Sequence, residues 1–268
     1  KFDVQTKTFS DSIPKKGSYL YFGQPAIEDN SFLIEEAFNQ ETSIIQHISN
    51  FYFDNLKGGN FNCSYTQEIP LDDYRHQLSF TMNYTALGKI TGLKSQNGFG
   101  DMHINYRPFL WGKNDWALVI PRFTLILPTG SSKEGFGNGA LGGQFNMAVT
   151  KRLSRTVVSN YNAGYTYLAQ VDSYAEDLNG NKVLAHEKNL NFYHVGTSLI
   201  WFVVPKFNLM LEGLTNFESE IGENGKVLKS EQFTLNPGFR FAIDIGKMQI
   251  VPGFGLPINF AKDSNRTS

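Results

Sequence analysis

The chain has 268 residues, a formal net charge of −1 and 41% hydrophobic residues. The near-zero charge gives no reason to expect a nucleic-acid partner. No apolar run approaches the roughly 18 residues that a membrane-spanning helix needs. A single cysteine excludes an intrachain disulfide. The 23 Phe, 12 Tyr and 25 Gly residues favour strands and turns instead.

Residues 1–26 show no sustained hydrophobic period, which predicts an irregular arm. Residues 29–40 are different, because three capping-type residues at 29–31 precede apolar residues at helical spacing. This pattern predicts a short amphipathic helix. We expect it either to lie on the surface or to enter the body formed by the later strands, with Phe32, Glu35, Glu36 and Phe38 as plug residues.

From residue 43 apolar and polar residues alternate, which is typical of strands with two different surroundings. Eleven strands are predicted, at residues 43–53, 59–69, 75–86, 99–111, 116–128, 141–152, 156–169, 189–202, 207–218, 231–244 and 248–260. The chain therefore divides into an N-terminal arm with a helix, residues 1–42, and an all-β unit, residues 43–268.

The stretch from Asp101 to Gly130 shows the alternation best. Even positions 102–106 carry Met, Ile and Tyr, whereas odd positions 101–107 carry Asp, His, Asn and Arg. After a short turn, residues 116–127 return with the same alternation. Runs of about ten residues joined by a tight turn are typical of a transmembrane β-hairpin, apolar toward lipid and polar toward a lumen. A soluble β-sandwich is the alternative, although its strands usually have about 5–6 residues.

The connections between the predicted strands alternate in length. Short connections are residues 70–74, 112–115, 153–155, 203–206 and 245–247, and long ones are residues 87–98, 129–140, 170–188 and 219–230. Outer-membrane barrels have short periplasmic turns and longer external loops. The sequence therefore predicts an antiparallel up-and-down transmembrane β-barrel with a periplasmic N-terminal arm.

Strand parity adds a further expectation. Bacterial barrels of this type have an even number of strands, and an unpaired edge in lipid is costly. We therefore expect twelve strands, with the closing strand after Ser268. The alternative is an extra N-terminal strand at Ser18–Phe22. The chain opens at Lys1 without a signal peptide, so we expect it to be the processed form of an exported protein.

Several stretches together are similar to a known family. They are Ile34–Glu41, Ile45–Ile48, Thr66–Pro70, His76–Ser79, Gly98–Asp101 and Leu127–Gly130. From about Ile34 onward the chain resembles the outer-membrane transporters associated with the meta-cleavage pathway of phenol degradation. The resemblance implies an outer-membrane barrel and a C-terminal strand that ends in an aromatic residue. No aromatic residue follows Phe260, which agrees with a closing strand beyond the sequence.

The strand register assigns a set of polar residues to the lumen. They are Glu68, Arg75, Gln77, Asp101, His103, Asn105, Arg107, Arg122, Gln144, Asn146, Glu212, Asn216, Gln232, Arg240 and Asp244. Acidic and basic residues are roughly balanced, so one interpretation is a satisfied ion-pair network that packs the lumen. The other is a solute path through Glu68, Asp101, His103, Asn105, Arg107, Arg122, Glu212 and Arg240, in which the arginines present donors to an anionic or phenolic solute.

Enzyme chemistry has little support in the sequence. No Gly-x-Ser-x-Gly motif and no ordered Ser, His and Asp set is visible, and no His-x-x-x-His spacing suggests a metal. We therefore expect no catalytic residues, no metal and no cofactor. An outer-membrane lipase using His47 or His186 is retained as the least favoured hypothesis.

Three hypotheses for function remain. The first is passage of a small, aromatic or otherwise amphiphilic, solute through a bacterial outer membrane. The second is a closed barrel that serves as a structural or accessory subunit of an outer-membrane complex, and the third is the lipase. The expected partners are outer-membrane lipid, lipopolysaccharide and other outer-membrane proteins.

Overall fold

The structure, a computed structural model, describes residues 20–21, 24–25, 27, 31–40, 44–54, 59–71, 75–88, 96–113, 117–178, 180–246 and 248–262. In this part of the chain, antiparallel strands form a strongly curled half-barrel sheet. The predicted all-β, up-and-down fold is therefore confirmed. No helix among the described residues is long and apolar enough to cross a membrane.

Eleven strands of the described chain follow one another across the sheet in sequence order. They are β1 Gln46–Asp54, β2 Asn60–Leu71, β3 His76–Leu87, β4 Met102–Pro108, β5 Ala117–Leu127, β6 Leu141–Arg152, β7 Val157–Glu176, β8 Lys182–Val204, β9 Phe207–Ile221, β10 Val227–Phe241 and β11 Ile258–Lys262. Three short strands pair with β3, β5 and β10, namely Gln96–Phe99, Trp111–Lys113 and Gly253–Gly255. Each main strand pairs antiparallel with the next, as adjacent hairpins require.

Alternation along each strand separates two surfaces. On β5, Phe123 and Leu125 are 49% and 45% exposed on the convex outer face. Thr124, which lies between them, and Ile126, which follows them, are each 5% exposed on the concave inner face. Because successive side chains of a strand point to opposite faces, the sheet has an apolar outer surface and a largely polar inner one.

The helix predicted over residues 29–40 is wrong for residues 31–40, while residues 29 and 30 lie outside the described residues. Residues 31–40, called the N-terminal segment below, contain no regular secondary structure and lie on the inner face. The main-chain N–H of Glu35 donates to Asn162 Oδ1 at 2.7 Å, and that of Ala37 donates to Thr150 Oγ1 at 2.8 Å. These tertiary bonds replace the i to i−4 bonds of a helix and override the local helical spacing.

Two of the predicted long loops are shorter than expected. Residues 170–188 were predicted to be a loop, yet β7 runs to Glu176 and β8 starts at Lys182. Gln170 adopts a positive φ of 57° at a register shift, after which pairing resumes at Val171. This register shift is a β-bulge. It lets the strand continue past the point where the apolar and polar residues stop alternating, which is where the predicted strand ended. Likewise, β9 and β10 extend into the predicted loop 219–230.

The edges of the described sheet are β1 and β11, and no pairing joins them in the part of the chain described here. The twelfth strand therefore stays a prediction, as does the division of the chain at residue 42. Within the alternative strand at Ser18–Phe22, the described residues Leu20–Tyr21 form a short strand, but it pairs with Gln24–Pro25 in a separate two-stranded ladder and not with the large sheet.

Candidate functional site

The N-terminal segment crosses the inner face from the late strands to the early ones. It starts beside Glu212 on β9, passes Thr150 on β6 and ends beside Gln77 on β3. The sheet thus provides a series of side chains that bind one extended segment. The segment's own side chains Ile34, Ala37 and Phe38 are buried against the sheet, at 1%, 0% and 4% exposure.

Glu212 holds the start of the N-terminal segment. Its carboxylate accepts the main-chain N–H groups of Phe32, Leu33 and Ile34 at 3.0 to 3.2 Å. It also accepts an N–H from the amide of Asn236 at 2.7 Å, and its side chain is fully buried. One carboxylate therefore satisfies three successive N–H groups that have no strand partner, and charge makes these bonds stronger than neutral ones.

Glycines on the inner face make room for the side chains of the segment. A Cβ atom at Gly196 would lie 2.3 Å from Ile34 Cδ1. At Gly238 and Gly253, a Cβ would lie 2.7 and 2.9 Å from the ring of Phe32. The role of these glycines is therefore space for a closely approaching chain.

The carboxylate of Glu35 is bound by two arginines on the inner face of the sheet, which is called the wall below. Its Oε1 lies 3.1 Å from Arg107 Nε, and its Oε2 lies 3.0 Å from Arg122 Nε. The amide of Asn146 donates to Oε2 at 2.6 Å. Asn162 binds the main chain of the same residue, because its Nδ2 donates to the Glu35 carbonyl oxygen at 2.8 Å while its Oδ1 accepts the N–H.

Neutral side chains orient Arg122 within this site. Its guanidinium group donates to Asn105 Oδ1 at 3.2 Å and to Gln144 Oε1 at 2.9 Å. Burial raises the pKa of Glu35, but the charges of Arg122 and Arg107 and the bond from Asn146 outweigh it and hold that pKa below its ordinary value. The carboxylate is therefore ionised at neutral pH.

A second ion pair joins Glu36 to Arg240 on β10, a strand at the other end of the same inner face. Arg240 Nη1 lies 3.1 Å from Glu36 Oε1, and both side chains are 1% exposed. The hydroxyl of Ser31 also donates to Glu36 Oε1. Arg240 further donates to the carbonyl oxygen of Ile27 at 2.9 Å, which draws the preceding chain onto the same wall.

Apolar contacts fill the space on either side of these ion pairs. Phe38 packs in a buried cluster with Ala37, Leu118, Ile120 and Ala148. Phe32 packs against another cluster formed by Val158, Ile200, Phe202 and Met210. The four predicted plug residues therefore lie together on the inner face as two aromatic and two acidic side chains.

The end of the segment is bound by the first strands. The main-chain N–H of Gln40 donates to Gln77 Oε1 at 2.7 Å, and its side-chain amide donates to Glu68 Oε2 at 3.0 Å. The amide of Asn39 donates to the Arg107 carbonyl oxygen at 3.1 Å. Glu68 thus contacts the segment.

Asp101 has a different environment. Its carboxylate accepts the N–H of Gly130 at 3.1 Å, and the main-chain and side-chain N–H groups of Asn138 at 2.8 and 3.0 Å. A Cβ at Gly137 would lie 2.5 Å from that carboxylate. Asp101 therefore ties the loop after β5 to the start of β4, and it joins the two motifs, Gly98–Asp101 and Leu127–Gly130, that carried the family resemblance.

The residues of the predicted path share the inner face. Those that are buried are Glu68, Asp101, Asn105, Arg107, Glu212 and Arg240. His103 and Arg122 are half-buried on the same face. Arg75 and Asp244, also assigned to the lumen, are exposed. Asp244 pairs with Lys206 at 2.6 Å in a short hairpin after β10, because the strand predicted to continue to residue 244 ends at Phe241.

Sequence reasoning missed Thr150 and Asn162 as partners of the segment. Both are polar residues at inner-face positions of β6 and β7. The alternation could have placed them there, but nothing local marks which distant backbone they bind. A role in solute passage stays a prediction for all the residues of the path.

The histidines of the lipase hypothesis lie far apart in the sheet, on β1 and β8. A ring nitrogen of His47 lies 2.6 Å from the Tyr65 hydroxyl, and a ring nitrogen of His186 lies 3.3 Å from the Glu223 carbonyl oxygen. The lipase hypothesis stays a prediction. Its test is lipid turnover by the His186→Ala and His47→Ala variants, and a rate equal to that of the wild-type protein would exclude it.

Comparison with known proteins places the chain in a family. No curated protein sequence matches it. A family model matches residues 30–264, nearly the whole of the chain, and confirms the resemblance inferred from the motifs. The protein therefore belongs to the family described as Putative MetA-pathway of phenol degradation.

Proposed function

We propose that this protein is a bacterial outer-membrane β-barrel that passes a small, aromatic or otherwise amphiphilic, solute, and that its N-terminal segment closes the lumen. The apolar outer face and polar inner face support a barrel in lipid. The family description links the protein to phenol degradation, which supports an aromatic or related solute.

One observation carries the proposal. The N-terminal segment is held by side chains such as Glu212 and Asn162, without ladder bonds to the strands of the sheet. Its release would leave every strand pairing of the wall in place. A segment attached in this way suits a gate, because opening would not require the barrel to unfold.

A reversible crosslink tests this gate. Ala37 N lies 2.8 Å from Thr150 Oγ1, so Ala37→Cys with Thr150→Cys would tie the segment to β6 under oxidation. Cys63 is replaced by Ala to leave only the new pair. In planar bilayers and swelling assays with arabinose and sodium benzoate, we expect flux from the reduced protein and little from the oxidised one.

The single variants Ala37→Cys and Thr150→Cys, each in the background without Cys63, control for oxidation. If neither wild type nor the reduced double variant conducts ions or passes either solute, the proposal is wrong. The crosslink is verified by mass spectrometry. Equal flux from the oxidised and reduced forms would then support solute passage but would exclude the gate.

The buried ion pairs favour a second candidate, a closed barrel acting as a subunit of an outer-membrane complex. Glu36 and Arg240 are sealed from solvent, as a packed lumen requires. Gentle extraction from native membranes tests this candidate. Stable co-purification with another outer-membrane protein would support it, and recovery as a lone, salt-stable monomer would count against it.

A further inference from the structure

Arg107 and Arg122 form a pair of cations on neighbouring strands, β4 and β5. In the described part of the chain, the acid that pairs with both is Glu35, which belongs to the N-terminal segment. The other bonds of Arg122 go to neutral oxygens of Asn105 and Gln144. The wall therefore carries two positive charges whose counter-ion comes from a separate part of the chain.

The contacts around Glu35 place two cations and one amide donor around a single carboxylate. Each oxygen lies within ion-pair distance of one guanidinium Nε, at 3.1 and 3.0 Å, and Oε2 also accepts a hydrogen bond from Asn146 at 2.6 Å. Arginine binds carboxylates well because its planar N–H groups match their geometry. The donors are held by neighbouring strands, so they remain on the wall whatever occupies the site.

The site is also reachable. The side chains of Glu35 and Arg122 are 21% and 23% exposed, in contrast to the 1% exposure of Glu36 and Arg240. Arg107 is 5% exposed, so water contacts this site through Glu35 and Arg122 and does not contact the second ion pair. The main chain of Glu35 is separately bound by Asn162, so departure of the carboxylate from the arginines would loosen the segment without detaching it.

We propose that Arg107, Arg122 and Asn146 bind the carboxylate of a small organic acid, and that Glu35 is an internal competitor for the same site. This inference rests on the proposed function, since it names the chemical class of the solute. A carboxylate arriving from the lumen replaces the Glu35 carboxylate on the two guanidinium groups. The two arginines keep a counter-ion throughout, and the displaced Glu35 carboxylate, which is 21% exposed, turns to the water of the lumen.

Calorimetry on the full-length protein in detergent tests the site independently of transport. The probes are benzoate and its neutral analogue benzamide. We expect Glu35→Gln to bind benzoate at least tenfold more tightly than wild type, because the competitor has lost its charge. Adding Arg122→Gln should weaken benzoate binding at least tenfold again, and benzamide should not distinguish these proteins.

Glu134→Gln is a matched control that removes the same kind of charge from a surface pair with Lys182, 3.6 Å apart and outside the lumen. It should bind benzoate as wild type does. If Glu35→Gln does not fold, hydrogen exchange of the wild-type protein is measured in place of the calorimetry. Saturating benzoate should then increase exchange in residues 31–40, and benzamide should not.

Equal benzoate affinity in wild type and folded Glu35→Gln, or equal affinity for benzoate and benzamide, would overturn the carboxylate site. Failure of the proposed function looks different. Absence of all flux in bilayers would reject solute passage, while the binding measurements would still decide whether the arginine pair accepts a carboxylate.

Discussion

Both carboxylate oxygens of Glu212 accept the main-chain N–H of Leu33, at 3.1 and 3.2 Å. The two residues are 179 positions apart in the sequence. A fully buried acid on a wall strand thus takes the place of a strand partner for the N-terminal segment.

Glu212→Gln should loosen the start of the segment while leaving the sheet folded. An amide oxygen is a weaker acceptor than a carboxylate, and hydrogen bonds to a charged group contribute about 1.5–3 kcal/mol. We expect the amides of residues 32–34 to exchange hydrogen at least tenfold faster. Glu218→Gln, an exposed position on the same strand, is the control and should leave exchange unchanged. Unaltered protection in Glu212→Gln would exclude the anchor.

Gly196→Ala should destabilise the protein through Ile34. The added Cβ would lie 2.3 Å from Ile34 Cδ1 and 3.0 Å from the Gly213 carbonyl oxygen. Overpacking of this kind costs about 1–3 kcal/mol. Thermal unfolding should show a lower Tm, and Ile34→Ala should recover part of the loss in a double-mutant cycle.

The matched control for this substitution is Gly143→Ala, where the nearest heavy atom to an added Cβ is 4.0 Å away. That variant should keep the wild-type Tm. Strictly additive effects of Gly196→Ala and Ile34→Ala would show that the two positions do not touch.

Arg240→Met should be strongly destabilising because it leaves the Glu36 carboxylate buried without its cation. Breaking a buried pair on one side costs about 3–5 kcal/mol. Adding Glu36→Gln should recover much of that loss in denaturant titrations. The exposed pair of Lys206 and Asp244 supplies the control, and Lys206→Met should change the midpoint little. A double variant no more stable than Arg240→Met would contradict the pairing.

Acid should release the middle of the segment. Because the pKa of Glu35 is lowered in the folded protein, its contribution to stability is complete above its ordinary value of 4.5 and is lost as pH falls through the lowered value. Hydrogen exchange of residues 34–37 should therefore rise below about pH 4.5. Glu35→Gln should remove this titration, and an unchanged pH profile in that variant would assign the effect to another group.

The sheet was predictable from local sequence because a strand signals its two surroundings through a period of two. On β5, Thr124 is polar and Leu125 is apolar, and the structure accordingly leaves Thr124 5% exposed and Leu125 45% exposed. The same parity placed Arg107, Arg122 and Glu212 on the inner face. Strand ends were less predictable, since the bulge at Gln170 breaks the period without ending the pairing.

The sequence by itself therefore determined the fold class and which residues face inward. Only the tertiary structure decided what the N-terminal segment does. Its apolar spacing predicts a helix, but its N–H groups bind Glu212, Asn162 and Thr150, which lie more than 100 positions away. Likewise, the joining of Glu35 to Arg107 and Arg122 depends on where the N-terminal segment crosses the inner face. Local periodicity carries no information about such distant partners, because they meet only once the sheet has curled around the segment.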